Sequence, residues 1–330
     1  SSTRTVSGLR GLYAWLALHS LKVRDTLIAA DPLTVVLYGD VQPMSADTKK
    51  RVLEGLREEA RHHPAFRWQA RQDHPFGALA DPALTDYFKA LLATEARDEA
   101  SQSFVECIIT VLSEGGADRA LLDSLKNIVA DDTWWPAIRK PALNAWLKQA
   151  PSEDALALLE AIAGSHVRDD RDEITGKLLA HLYPDSIRAA ELGDYLHLPR
   201  ASNSINGYTR FWRQLSEKTP DDQIPALLDT LAGRRDLQFG EGMLSDLVHG
   251  ISKLLLRGVQ LYGESITARQ LLNWLRIGAD EYGNIVREAG AREAIGQWLA
   301  DHPSQYKALI QLIHEECART GALVRSVASP

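Results

Sequence analysis

Cysteine is nearly absent: the 330 residues contain two, Cys107 and Cys317, far apart and each set in an apolar helical pattern. Two such thiols build no disulfide framework, and no Cys-x-x-Cys pair suggests zinc, so a reducing, cytoplasmic setting is expected. Long apolar runs are missing as well. No stretch reaches the roughly 18 residues that a membrane-spanning helix needs. The start, "SSTRTVSGLRG", has no initiator Met and no signal-peptide core. With the C-terminal "SVASP", it reads as the edge of a fragment cut from a longer protein. Positive charge is in short supply: 37 Lys and Arg stand against 44 Asp and Glu, a net −7. Residues 1–75 carry 11 against 8, a net +3, and the remainder carries −10. Most of the chain therefore repels a phosphate backbone, which disfavours general nucleic-acid binding.

What is present is helical grammar. The 45% hydrophobic and 25% charged content is that of a folded protein. "LYAWLALHSLKVRDTLIAA" places Leu12, Trp15, Leu16, Leu18, Leu27 and Ile28 on recurring faces at three- and four-residue steps. "SADTKKRVLEGLREEARHH" opens with Ser45 as N-cap, turns Val52, Leu53 and Leu56 inward and stops before Pro64. Asp81-Pro82 starts another helix, and Gly115-Gly116 ends the one before "ADRALL". Similar segments run to "SQYKALIQLIHEECART", with no convincing alternating strand between them. The expected fold class is all-α: an irregular α-solenoid of stacked helical hairpins, HEAT-like with degenerate repeats, or alternatively an irregular helical bundle. The segments divide as 1–75, 76–195, a polar connection at 196–207, and 208–330. That connection is either a domain boundary or a binding loop.

One segment invites a different reading. "ADPLTVVLYGD", Ala30 to Asp40, has the β-branched run and Gly-Asp ending of many nucleotide-binding strands. As a helix, Asp31 is the N-cap, Pro32 the first residue, Leu33, Val36 and Leu37 share a face, and Gly39 supplies a left-handed stop. A short strand is the alternative.

Catalytic patterns fail one by one. "DEITGKLL" has Arg171 and Leu178 where a P-loop needs Gly and Ser/Thr, and no Gly-x-Gly-x-x-Gly follows a strand. "HEEC" at His314 has Ala318 four residues on, where a zinc helix needs a second histidine. His62-His63 fit a helix end. The acidic pairs Asp131-Asp132, Asp169-Asp170 and Asp221-Asp222 are adjacent on loops rather than facing across a cleft, with Asp131 and Asp221 read as N-caps. No cofactor, metal ligand or catalytic residue is expected, although an active site assembled from scattered residues stays open as a third class.

Aromatics beside charge are the remaining signal. "TWWP" holds Trp134 and Trp135, and "YTRFWR" holds Tyr208, Arg210, Phe211, Trp212 and Arg213. Tyr208, Phe211 and Trp212 fall on one helical face, which suits a core. The competing reading makes Trp134, Trp135, Arg200, Tyr208, Arg210, Trp212 and Arg213 a partner-binding surface, since Trp, Tyr and Arg dominate hot spots.

The long segment from Gly8 to Trp68, "HLYPDSIRAAELGDYL" and "NGYTRFWRQLSEKTPDDQIPALLDTLAG" together resemble the helical C-terminal region of bacterial NACHT-type STAND signal-transduction NTPases. The marks are Trp15-Leu16-Ala17, Asp31-Pro32, Gly39-Asp40 and a Ser/Lys-rich helix start, over about two-thirds of the chain. The resemblance implies a non-catalytic sensor or autoinhibitory arm, with residues 1–75 leading from an NTPase core that this sequence does not contain. It implies a protein ligand, a phage component among the candidates in antiviral relatives, and an intramolecular contact with the NTPase module. The alternative is a stand-alone helical-repeat scaffold.

Overall fold

A computed structural model describes residues 6–66, 75–94, 96–200, 206–234, 245–277 and 289–320. Among the described residues every regular element is a helix. The α-helices are α1 (Arg10–His19), α2 (Leu21–Ala30), α3 (Pro32–Tyr38), α4 (Ala46–His62), α5 (Thr85–Leu92), α6 (Glu99–Gly115), α7 (Leu122–Ala130), α8 (Pro136–Leu147) and α9 (Ser152–Ala163). They continue as α10 (Glu173–Leu182), α11 (Ala189–Leu192), α12 (Gly207–Lys218), α13 (Ile224–Gly233), α14 (Ser245–Tyr262), α15 (Ala268–Arg276), α16 (Ala289–Asp301) and α17 (Pro303–Thr320). None is long and apolar enough to cross a membrane among the residues described. The chain divides into two compact units, residues 1–158 with 164–168, and 159–163 with 169–330. The 196–207 connection lies inside the second.

Helix starts follow the local chemistry. The Asp31, Ser45, Asp98, Asn206 and Thr267 side chains each accept the backbone N–H three residues on, meeting a donor that the first turn leaves unpaired. Gly116, at φ +95°, ends α6 in a conformation that favours glycine. The "ADPLTVVLYGD" segment is α3, capped as its letters suggest: Asp31 Oδ1 accepts from Thr34 N at 3.0 Å. Two details differ. Its buried residues are Pro32, Thr34, Val35 and Val36, so Leu33 and Leu37 do not share the inward face. Gly39 is extended, at φ −106°, not left-handed. It is glycine because a side chain there would press on the Val35 carbonyl, at 2.5 Å, with the Ala14 methyl also close.

In the first unit, α1 packs on α2 and α3, both of these on α4, α4 on α6, α6 on α8, and α5 and α8 on α7. In the second, α10, α12, α14 and α16 contact one another in sequence, and α11, α13, α15 and α17 do the same. Trp146, Trp212, Trp274, Tyr183 and Tyr208 are among the largest fully buried side chains. The α10–α12 contact is unusually close. A Cβ on Gly176 would overlap the backbone of Gly207 and Tyr208, and one on Gly207 would lie 2.7 Å from the Glu173 carbonyl.

The inward face of α1 is lined by alanine. Ala14 and Ala17 are fully buried, while Leu12 and Trp15 are about half exposed. Small side chains let α2 and α3 approach closely, and Arg24 locks the corner by donating to the Ala17 and Leu18 carbonyls at the end of α1. The acidic pairs differ as well. Asp131 closes α7 instead of opening a helix, and its carboxylate accepts from Thr133 N. Asp221 lies within a 3₁₀ turn, with its carboxylate paired to Arg257.

Candidate interaction site

Trp134 and Trp135, adjacent in sequence, have separate fates in the first unit. Trp134 is only 3% exposed, and the Arg97 guanidinium lies 3.7 Å from the centre of its ring system. Arg97 is held there from several directions: Nη2 donates to Asp131 Oδ2 at 2.7 Å, Nε to Thr133 Oγ1 at 2.8 Å, and Nη1 to the Thr94 carbonyl at 2.8 Å. Burial alone lifts the Asp131 carboxyl, but hydrogen bonds from Thr133 and Arg97 outweigh it and hold the group below the usual aspartate range. Gln102 completes the corner, accepting from Trp135 N at 2.9 Å and donating to the Arg97 carbonyl. Trp134 is therefore a core residue under a cation lid, and of the pair only Trp135 offers surface, at 36% exposure.

The remaining predicted residues lie in the second unit, where α12 sorts them by face. Tyr208 and Trp212 are fully buried, with Tyr208 edge-on to Trp212 and Phe211 edge-on to Tyr183. They are core, because positions 208, 211, 212 and 215 form one apolar stripe, and their assignment to a contact surface is corrected on that ground. Arg210 and Arg213 are exposed on the opposite side of the helix. Arg200, also exposed, belongs to a different cluster.

That cluster is built on the loop before α10. Asp172 sits at the helix N-cap in a left-handed conformation, φ +56°, and is fully buried. Its carboxylate does not cap α10; Asp169 does that, with Oδ2 accepting from both Thr175 N and Thr175 Oγ1 at 2.8 Å. The Asp172 carboxylate instead turns to the 196–200 segment, where Oδ2 accepts from Arg200 N at 2.7 Å. Oδ1 faces His197 Nε2 at 3.6 Å and an Arg200 guanidinium nitrogen at 3.5 Å, and has no hydrogen-bond partner. Burial is the strongest influence and pushes the carboxyl above its usual range, against the Arg200 backbone amide and the positive charge of His197 and Arg200. His197 stacks on Tyr208 at 4.7 Å. The Tyr208 hydroxyl accepts from His197 N and donates to the His197 carbonyl.

Sequence reasoning missed an exposed apolar strip on α1. Leu9, Leu12 and Trp15 are each more than half exposed and recur every three residues, with His19 against Trp15 at the far end. Helical spacing groups Leu12 and Trp15 on recurring faces, but only the fold shows which way those faces turn. A hollow of about 220 Å³ between α4 and the start of α6 is lined by Arg57, Arg61, Asp98 and Phe104 among others. No group of three His, Cys, Asp or Glu among the described residues could hold a metal. Glu316, beside the "HEEC" cysteine, is paired with Arg269 and Arg276. Compared with known proteins, the chain matches no family model, no curated protein and no solved structure.

Proposed function

We propose that this chain is a non-catalytic, partner-binding helical arm, the sensor or autoinhibitory part of a STAND-type NTPase switch working in the cytosol. The observation that carries the reading is the Leu9, Leu12 and Trp15 face of α1, turned outward while Ala14 and Ala17 turn inward. An apolar strip of this kind marks a surface that a protein partner covers, and the residues that carry the family resemblance run through the same helix. Ligand would act by differential affinity for two arrangements of the arm and the NTPase module. Arg210 and Arg213 supply a second exposed face for the ligand itself.

The test combines gene context with one double substitution. A P-loop NTPase encoded in frame ahead of Ser1, whose complex with this arm weakens at least tenfold when Leu12→Glu and Trp15→Glu are combined, supports the proposal. A start codon near Ser1, or a complex indifferent to both changes, sinks it. In that event the two rows of alternate helices in the second unit favour the other reading, a stand-alone HEAT-like scaffold with loose repeats.

A further inference from the structure

We infer that His302, held as an imidazolium, clasps the junction of α16 and α17 to the turn that follows α14, and that the clasp loosens as the ring loses its proton. The two ring nitrogens carry the inference. Nδ1 lies 2.7 Å from the Trp298 carbonyl, and Nε2 lies 2.8 Å from Glu264 Oε1. Both partners are acceptors only: a backbone carbonyl has no hydrogen to give, and neither has an ionised carboxylate. A neutral imidazole carries one N–H and can satisfy one of them. The imidazolium carries two and satisfies both.

The surroundings suit a cation held in place. Trp298 lies in the last turn of α16, where carbonyls lack intrahelical donors and the dipole favours positive charge. The imidazole stacks on the Trp298 indole, with ring centres 4.1 Å apart and planes 15° from parallel. The indole in turn packs on the turn after α14, since a Cβ on Gly263 would overlap it. Ser265 N and Ile266 N both donate to the Tyr262 carbonyl within that turn, and Gln305 of α17 donates to the Gly263 and Ile266 carbonyls. The charges acting on His302 are Glu264, on the turn, and Asp301, the residue before it, and both are negative. The hydrogen bond to the Trp298 carbonyl, then that to Glu264, lift the imidazole above its ordinary range, against a smaller effect of burial.

Both forms hold protons, and the sign follows from the difference. With the clasp open, His302 faces water and is protonated only below its ordinary value of about 6.5. With the clasp closed, it keeps the proton to a higher pH. Below the ordinary value both forms are protonated and the clasp is at full strength. Between the two values only the closed form holds the proton, so rising pH weakens closure. Above the raised value both forms are neutral, and closure is weakest. The α16–α17 pair is thus fastened to the end of α14 in mildly acidic solution and eased from it as the solution turns alkaline. The inference does not depend on the proposed switch.

Titration of the histidine rings by nuclear magnetic resonance, on the whole chain, tests it. The His302 signal is identified by its loss in His302→Gln and marked by the ring current of Trp298. Its midpoint should lie above about 6.5. Glu264→Gln keeps an acceptor but removes the charge, and should lower that midpoint by about 0.2–0.7 of a pH unit. Hydrogen exchange at the Ser265 and Ile266 amides gives a second readout. Between about pH 6 and about pH 9, protection corrected for intrinsic exchange should fall by the factor that the midpoint shift fixes, about threefold for half a unit. His302→Gln should be flat over that range. A midpoint at or below the ordinary value overturns the inference. So does a midpoint that Glu264→Gln leaves in place, or protection that falls alike in His302→Gln. Should His302→Gln fail to fold, the ring current assigns the signal and Glu264→Gln, altered at an exposed carboxylate, decides.

Discussion

At the scale of single residues, charge is placed to finish hydrogen-bond sets that the backbone leaves open. Arg97 shows it best, covering Trp134 while bonding Asp131, Thr133 and the Thr94 carbonyl. Arg97→Ala should lower stability by about 1–3 kcal/mol, read as a shifted denaturant midpoint, and Arg97→Lys should recover only part of it because an ammonium lacks the planar fork. The pH dependence has a definite sign. Asp131 is held below the usual aspartate range, so its contribution is present above that range and lost as pH falls through the depressed value. Arg97→Ala should therefore flatten the acid limb of the stability curve. An acid limb identical to that of the unsubstituted protein would show that Asp131 owes its ionisation to other groups.

At the scale of helices, backbone proximity matters as much as apolar pattern. Gly176→Ala would drive a methyl into Gly207 and Tyr208, parting α10 from α12, and should cost more than about 3 kcal/mol. Gly296→Ala, in the exposed interior of α16 with nothing within 4 Å, should stabilise by about 0.5–1 kcal/mol. Thermal melts of the two variants moving in the same direction would refute this account. Helix positions were largely legible in the sequence, because Asp31, Ser45, Asp81 and Gly116 announce ends through local chemistry alone. Facing was less legible. The α12 stripe at 208, 211, 212 and 215 has only one apolar side, so it could be read correctly. On α1, Leu and Ala both count as apolar, and the choice between them is made by how closely α2 and α3 approach. The Asp172 cluster was hidden for a related reason: its members at 169, 172, 197 and 200 come from two loops, and only the fold joins them.

For the whole molecule, charge sets the company it keeps. With a net −7, and −10 beyond residue 75, the protein should leave a short labelled DNA duplex unshifted at physiological salt. A shift that weakens with added salt would reveal a basic patch dense enough to override the total. The close approach of Gly176 and Gly207 has a consequence of another kind, for how this sequence can drift. Position 176 sits in a "TGK" string that looks like a worn nucleotide-binding loop, yet what fixes it is the neighbouring helix. Neither glycine can acquire a side chain while the other's helix stays where it is. In a saturation library the two should be as intolerant as any buried tryptophan, and revertants of one should map to shifts in the helix that carries the other.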